Sequence, residues 1–148
     1  METSSLKNVE CSGALICSKS SKRFLLLQKK SGKHKGHWGL VGGTHLTGES
    51  AWQGLSREIK EEIGDNFNIT KTIPLEKFVS NDQHFKFQTY FCVVADEFIP
   101  MLSDEHCAWG WFDLACLPKP LHKGLDLSLR NKHLENKIST IIDILDVL

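Results

Sequence analysis

The stretch "SAWQGLSREIKEEIG", residues 50 to 64, constrains the fold more than any other part of the chain. Ala51, Leu55, Ile59 and Ile63 recur every four residues, the spacing of an apolar stripe on a helix that faces a core. Ser50 and Gln53 stand three apart at its start, as in a capping box. Gly54 interrupts the helix at a cost of about 1 kcal/mol relative to alanine, which marks either close packing or backbone approach there or a glycine that is simply tolerated. Glu58, Glu61 and Glu62 fall at i, i+3 and i+4, so a helix makes them neighbours, and like charges so placed cost about 0.2 to 0.5 kcal/mol per pair. At about 100° per residue the three centre roughly a quarter-turn from Ile59, at the border of the buried stripe, where a cleft edge would lie. The spacing alone leaves two readings, a solvated acidic face or a site whose ligand offsets the repulsion.

Around this helix the chain reads as strands. The apolar runs "SGALICS" (12 to 18) and "RFLLLQKK" (23 to 30) flank the polar turn "KSSK" and predict a hairpin. "SGKHKGH" (31 to 37) is a basic loop, and "WGLVGG" (38 to 43) a brief strand ending in two glycines. Between Lys19 and His37 there are seven Lys or Arg and no acid, a patch that is either solvated or attracts phosphates. "TIPLEKFVS" (72 to 80), "FKFQTYFCVVA" (85 to 95) and "CAWGWFDL" (107 to 114) read as further strands. In the second, Phe85, Phe87, Thr89, Phe91 and Val93 share a face read as core, and in the third Trp109 and Trp111 share one. Leu134, Ile138, Ile141, Leu145 and Leu148 predict a closing helix.

A chain of 148 residues suits one domain, spanning 1–148. Its formal charge of zero gives no bulk attraction to nucleic acid, and no apolar run reaches the roughly 18 residues of a membrane span. The start, "METSSLKNVE", lacks the apolar region of a signal peptide, so a soluble, cytoplasmic protein is the expectation. Five cysteines without a CxxC pair read as reduced structural thiols, and seven histidines without a ligand spacing read as loop or surface residues, so zinc is not indicated. Nothing in the sequence specifies an oligomeric state.

Extended to "GTHLTGESAWQGLSREIKEEIG", the opening stretch resembles the Nudix box, G-x5-E-x7-R-E-U-x-E-E-x-G-U with U a bulky apolar residue. Gly43, Glu49, Arg57, Glu58, Ile59, Glu61, Glu62 and Gly64 fall on eight of its nine specified sites. Asp65 stands where the family prefers an apolar residue, and Val41 where a proline is common before the glycine pair. The resemblance implies an α/β (α+β) Nudix fold, a mixed β-sheet sandwiched between helices. It also implies hydrolysis of a phosphoanhydride in a nucleoside diphosphate linked to another group, with Mg2+ or Mn2+ as cofactor. Oxygen ligands suit such hard cations, and a metal would offset the repulsion among the glutamates.

By the same resemblance Glu58, Glu61 and Glu62 are assigned to metal coordination, with the backbone of Gly42 and Gly43 as further candidates. The general base is one of these glutamates or one from a later loop. Arg57 would orient the acidic cluster through its donor fork, pairing with Glu49. Glu105, ahead of a tryptophan-containing strand, resembles the extra glutamate that some members use as ligand or base, against the plain reading of a loop acid. The substrate expected is a small nucleotide, a nucleoside or deoxynucleoside triphosphate cleaved to monophosphate and pyrophosphate. "VSNDQH" (79 to 84) carries neither the proline resembling ADP-ribose hydrolases nor the tyrosine resembling dinucleoside polyphosphate hydrolases, and no coenzyme A signature precedes the glycine pair. ADP-ribose, nucleotide sugars and dinucleoside polyphosphates are the alternatives, and a non-catalytic nucleotide-sensing module a further one. Trp38, Tyr90 or a phenylalanine would stack on the base while Lys29, Lys33 or Lys35 approaches the phosphates. No stable nucleic-acid or membrane partner is indicated.

Overall fold

The computed structural model describes residues 7–148; the signal-peptide reading of the first residues falls partly on 1–6, outside them. The strands are β1 (Val9–Ser18), β2 (Phe24–Lys29), β3 (Trp38–Gly39), β4 (Val41–Thr44), β5 (Ile69–Val79), β6 (Phe85–Val94) and β7 (His106–Phe112). The helices are α1 (Ala51–Ile63), α2 (Lys123–Leu129) and α3 (Lys132–Asp143). The strands form one mixed sheet in the order β3-β2-β1-β6-β5, with β4 on β1 and β7 on β2. The β1–β6 pair is parallel and the other pairs are antiparallel.

Strand β1 shows why the apolar runs are continuous. Ala14 and Ile16 point to one face and Leu15 and Cys17 to the other, and all four are buried because both faces are covered. On the first face they meet Leu55, Ile59 and Ile63, the stripe of α1, together with Trp111. On the second they meet Phe91, Val93 and the α3 residues Leu134, Ile138 and Ile141. The result is the mixed sheet between helices that the box resemblance implied. Helix α1 begins at Ser50 with both capping-box hydrogen bonds formed and stops at Gly64, whose φ of +82° ends the helix. No helix among the described residues is long and apolar enough to cross a membrane.

The structure alters several readings. The 38–43 segment is two strands, because its first part pairs with β2 and, after Leu40, its second part pairs with β1. The closing helix ends at Asp143, and a 3-10 turn, Leu145–Val147, carries Leu145 into the core. Helix α2 has no counterpart in the sequence reading. Phe91 and Val93 are core, as read, but Phe85 is exposed, on the wall of a cavity that residues of α2 and α3 also line.

Candidate functional site

Strand β4 delivers the glycine pair to the side of α1. Ser12 and Gly13 of β1 lie so close that a side chain at Gly42 would collide with the Ser12 carbonyl, and a Cβ at Gly43 would stand 2.6 Å from Glu58 Cδ. Glycine there lets backbone and carboxylate approach as no other residue would. Across this contact the Gly42 amide donates to Glu62 Oε1 at 2.7 Å.

The three glutamates are unequal. Glu62 is 4% exposed, and burial, reinforced by the charges of Glu58 and Glu105, pushes its carboxyl up to about 8 against the Gly42 hydrogen bond and Lys29. Burial also raises Glu58, with Arg57 opposing. Glu61, its side chain 57% exposed, is held by Arg57 at 3.2 Å in an i,i+4 pair.

Arg57 organises the group. Its Nε and Nη2 donate to the two oxygens of Glu49 at 2.9 and 3.1 Å, Nη1 to Glu58 at 3.1 Å, and Nη2 also to the Thr44 carbonyl at 3.0 Å. Glu49 is thereby held below the usual carboxylate range, first by Arg57 and then by the Leu46 amide, which donates to it at 2.6 Å. Arg57 is correspondingly raised, chiefly by its bond to Glu49.

Opposite Glu62 lie Glu105, just before β7, and His106, its first residue. Glu105 is exposed, with Lys29 Nζ at 4.0 Å. His106 is buried; its Nε2 is 3.4 Å from Glu62 Oε2 and its Nδ1 has no partner among the described residues. Burial, then Lys29, lowers the pKa of His106, favouring the neutral ring. One ligand atom from each of Glu62, Glu105 and His106 lies within 4.8 Å of the others. This oxygen-rich donor set suits a hard divalent cation, with one imidazole in addition. A cation there would neutralise a carboxylate that burial otherwise protonates.

Sequence reasoning missed His106 and also His45. The His45 side chain, 5% exposed, is buried beneath α1, Nε2 2.7 Å from Ser12 Oγ, and a Cβ at Gly54 would stand 2.5 Å from its ring. Loop and surface therefore describe some histidines and not these two. Burial of either depends on long-range strand pairing, for which the local sequence holds no signal.

A cavity of about 620 Å³ opens beside the acidic group. Lys29, Gly42, Gly43, Glu62 and His106 line one part of it, and Leu75, Glu76, Phe78, Phe85, Phe87 and Leu127 are further wall residues. The residues expected around a substrate are not all brought to it. Lys29 lines the cavity, whereas Lys33 and Lys35 are exposed on the loop before β3, whose His34 and His37 supply the wall instead. Trp38 does not line it and packs edge-on against Phe112 at 5.3 Å. Tyr90 faces the opposite side of the sheet, against Trp52 and the α1 core, because its neighbours Thr89 and Phe91 point the other way. Neither ring is placed to stack on a base in this cavity.

The family model for the NUDIX domain matches residues 9–131. A dihydroneopterin triphosphate diphosphatase of Haemophilus influenzae is 31% identical over 120 residues, 71% of this chain and 74% of that protein. Nudix hydrolase 7 of Arabidopsis thaliana is 43% identical over 54 residues, 35% of this chain, which matches 19% of that longer protein. Among solved structures, a MutT NUDIX hydrolase from Burkholderia pseudomallei superposes with a TM-score of 0.68 at 29% identity, covering 87% of this chain and 97% of that one. The chain belongs to the Nudix family.

Proposed function

We propose that the chain is a metal-dependent pyrophosphohydrolase acting on a nucleoside triphosphate or a triphosphate of similar build, releasing a monophosphate and pyrophosphate. The observation that carries this reading is the joining, in one cavity, of a buried carboxylate beside a glycine cradle with an apolar wall wide enough for a ring system. A relative whose named substrate is itself a triphosphate supports it. Mg2+ or Mn2+, held by Glu58, Glu61 and Glu62 with Glu105 and the backbone at Gly42 and Gly43, would neutralise the phosphate oxygens and polarise water for attack at phosphorus.

The chain's own residues prepare that step. Arg57 fixes Glu58 and Glu61 through one guanidinium while Glu49 anchors its far side, and the Gly42 amide sets the rotamer of Glu62. Lys29 places positive charge on the cavity wall, where phosphates would lie. The proton of the attacking water passes to a carboxylate of this cluster. All five cysteines are free, and burial pushes the Cys17 and Cys92 thiols up to about 12, which keeps them inert and fits a reducing cytoplasm.

The test measures kcat/KM for nucleoside triphosphates, ADP-ribose, dinucleoside polyphosphates and nucleotide sugars, with Mg2+ and with chelator. Turnover that needs metal and is highest on triphosphates is the expected result. A linked diphosphate exceeding every triphosphate by about tenfold, or about 1.4 kcal/mol in transition-state binding, would overturn the triphosphate reading, and full turnover in chelator the metal reading.

A further inference from the structure

We propose that Glu76 selects the ring system of the substrate, by accepting hydrogen bonds from an adjacent ring N–H and exocyclic NH2 such as guanine or a pterin presents. The assignment rests on the reading that a triphosphate occupies the cavity.

Glu62 and Glu76 are the two acids on the cavity wall. They are joined by a rung of the sheet: Glu76 of β5 lies opposite Thr89 of β6, Thr89 opposite Gly13 of β1, and Gly13 opposite Gly42 of β4, whose amide holds Glu62. Three strand spacings separate Glu76 from Gly42, about 14 Å, a span for a ring system, its linker and the first phosphates. If phosphates lie against the Gly42 end, the ring system lies against Glu76.

The backbone is adjusted to put a carboxylate there. Strict alternation would send Leu75 and Glu76 to opposite faces, yet both line the cavity. Pairing slips between Pro74, opposite Tyr90, and Glu76, opposite Thr89, so Leu75 is the extra residue of a bulge that turns Glu76 inward. Ser128 of α2 then donates to Glu76 Oε1 at 2.8 Å, fixing the carboxylate from the opposite wall. No other hydrogen bond to this carboxylate is made among the described residues, so Oε2 is free to accept. Beside it Phe78, Phe85 and Phe87 form a run of tilted rings, centroids 6.1 and 6.4 Å apart, with Phe78 53% and Phe85 37% exposed.

An ionised carboxylate only accepts hydrogen bonds. Two parallel donors satisfy it as an arginine fork does. Guanine and pterin rings offer such a pair. Adenine and cytosine set an acceptor nitrogen beside the amine, and uracil flanks its N–H with carbonyls, so each would turn an acceptor toward the carboxylate and be disfavoured.

The experiment compares kcat/KM for GTP, ITP, which lacks the exocyclic amine, ATP and dihydroneopterin triphosphate, in wild type, Glu76→Gln and Ser128→Ala. Alongside, calorimetry measures GMP and IMP binding in chelator, where no hydrolysis occurs. The expected result is a preference of at least about tenfold for GTP or the pterin triphosphate over both ITP and ATP. That preference falls below threefold in Glu76→Gln and falls in the same direction in Ser128→Ala. Which of GTP and the pterin triphosphate leads identifies the source of the donor pair. A wild type without the preference, or a Glu76→Gln protein that keeps it, overturns the assignment. If wild type hydrolyses no triphosphate, the proposed function fails, and the GMP-to-IMP affinity ratio alone then decides the role of Glu76: a ratio near one in wild type refutes it, and one abolished in Glu76→Gln upholds it.

Discussion

Glu62 receives the Gly42 amide on one oxygen and faces neutral His106 with the other, in surroundings that disfavour a bare charge. Burial raises its carboxyl from the ordinary 4.5 to about 8, so between those limits the native state holds a proton that the unfolded chain has released. Stability contributed by that proton is complete below the lower limit and is lost as pH rises through the upper one. Without metal, Glu62→Gln should therefore gain on wild type as pH rises across this window, by up to a few kcal/mol at about 1.4 per unit. Urea unfolding of both proteins in chelator, between about pH 5 and pH 8, measures the difference; a constant gap would refute the burial argument. With metal the same substitution is expected to lower kcat by about 10² to 10⁴. At this scale the sequence was informative where spacing along one helix decides the contact, as for Arg57 with Glu61 at i,i+4. The same spacing sets Glu62 about 60° from Ile59 and Glu61 about 160°, but what closes over Glu62, namely β4 and the start of β7, comes from long-range pairing that the helix does not encode.

Within α1, Gly54 shows local preference yielding to tertiary packing. Alanine would favour the helix by about 1 kcal/mol, but its Cβ would meet the His45 ring at 2.5 Å. Overpacking of this kind costs about 1 to 3 kcal/mol. Gly54→Ala is expected to destabilise the wild type and to stabilise a His45→Ala protein, a reversal that denaturant titration of the two pairs would detect; stabilisation in both backgrounds would show that His45 moves aside freely. The elements legible in the sequence were α1 and α3, with a clear helical period, β6, with its alternation, and the short apolar runs that form β1, β2, β5 and β7. Helix α2 was not, since Leu125, Leu127 and Leu129 alternate as in a strand while the seven-residue helix buries Leu125 and exposes Leu127. The bulge at Leu75 was equally hidden, because it is defined by the partner strand and not by its own residues.

Over the whole molecule, a ligand that binds only the folded acidic group stabilises the fold by mass action, about 2.7 kcal/mol at a hundredfold excess over Kd. For a chain of this length that is a rise in Tm on the order of 5 to 10 °C, readable by thermal denaturation with Mg2+ or Mn2+ against chelator. Unchanged melting at metal concentrations that saturate turnover would separate catalysis from folding. Strand β1 has a further consequence of its own. It is paired with β2 and β4 on one side and with β6 on the other, and its last partner, residues 85–94, comes 76 positions later, Val9 opposite Phe85. At about 5 to 20 residues per second, a ribosome needs roughly 4 to 15 s to supply that partner. Until then the apolar residues from Ala14 to Cys17 have an open strand edge, so the order of synthesis exposes the nascent chain to non-native strand pairing before its own sheet can close.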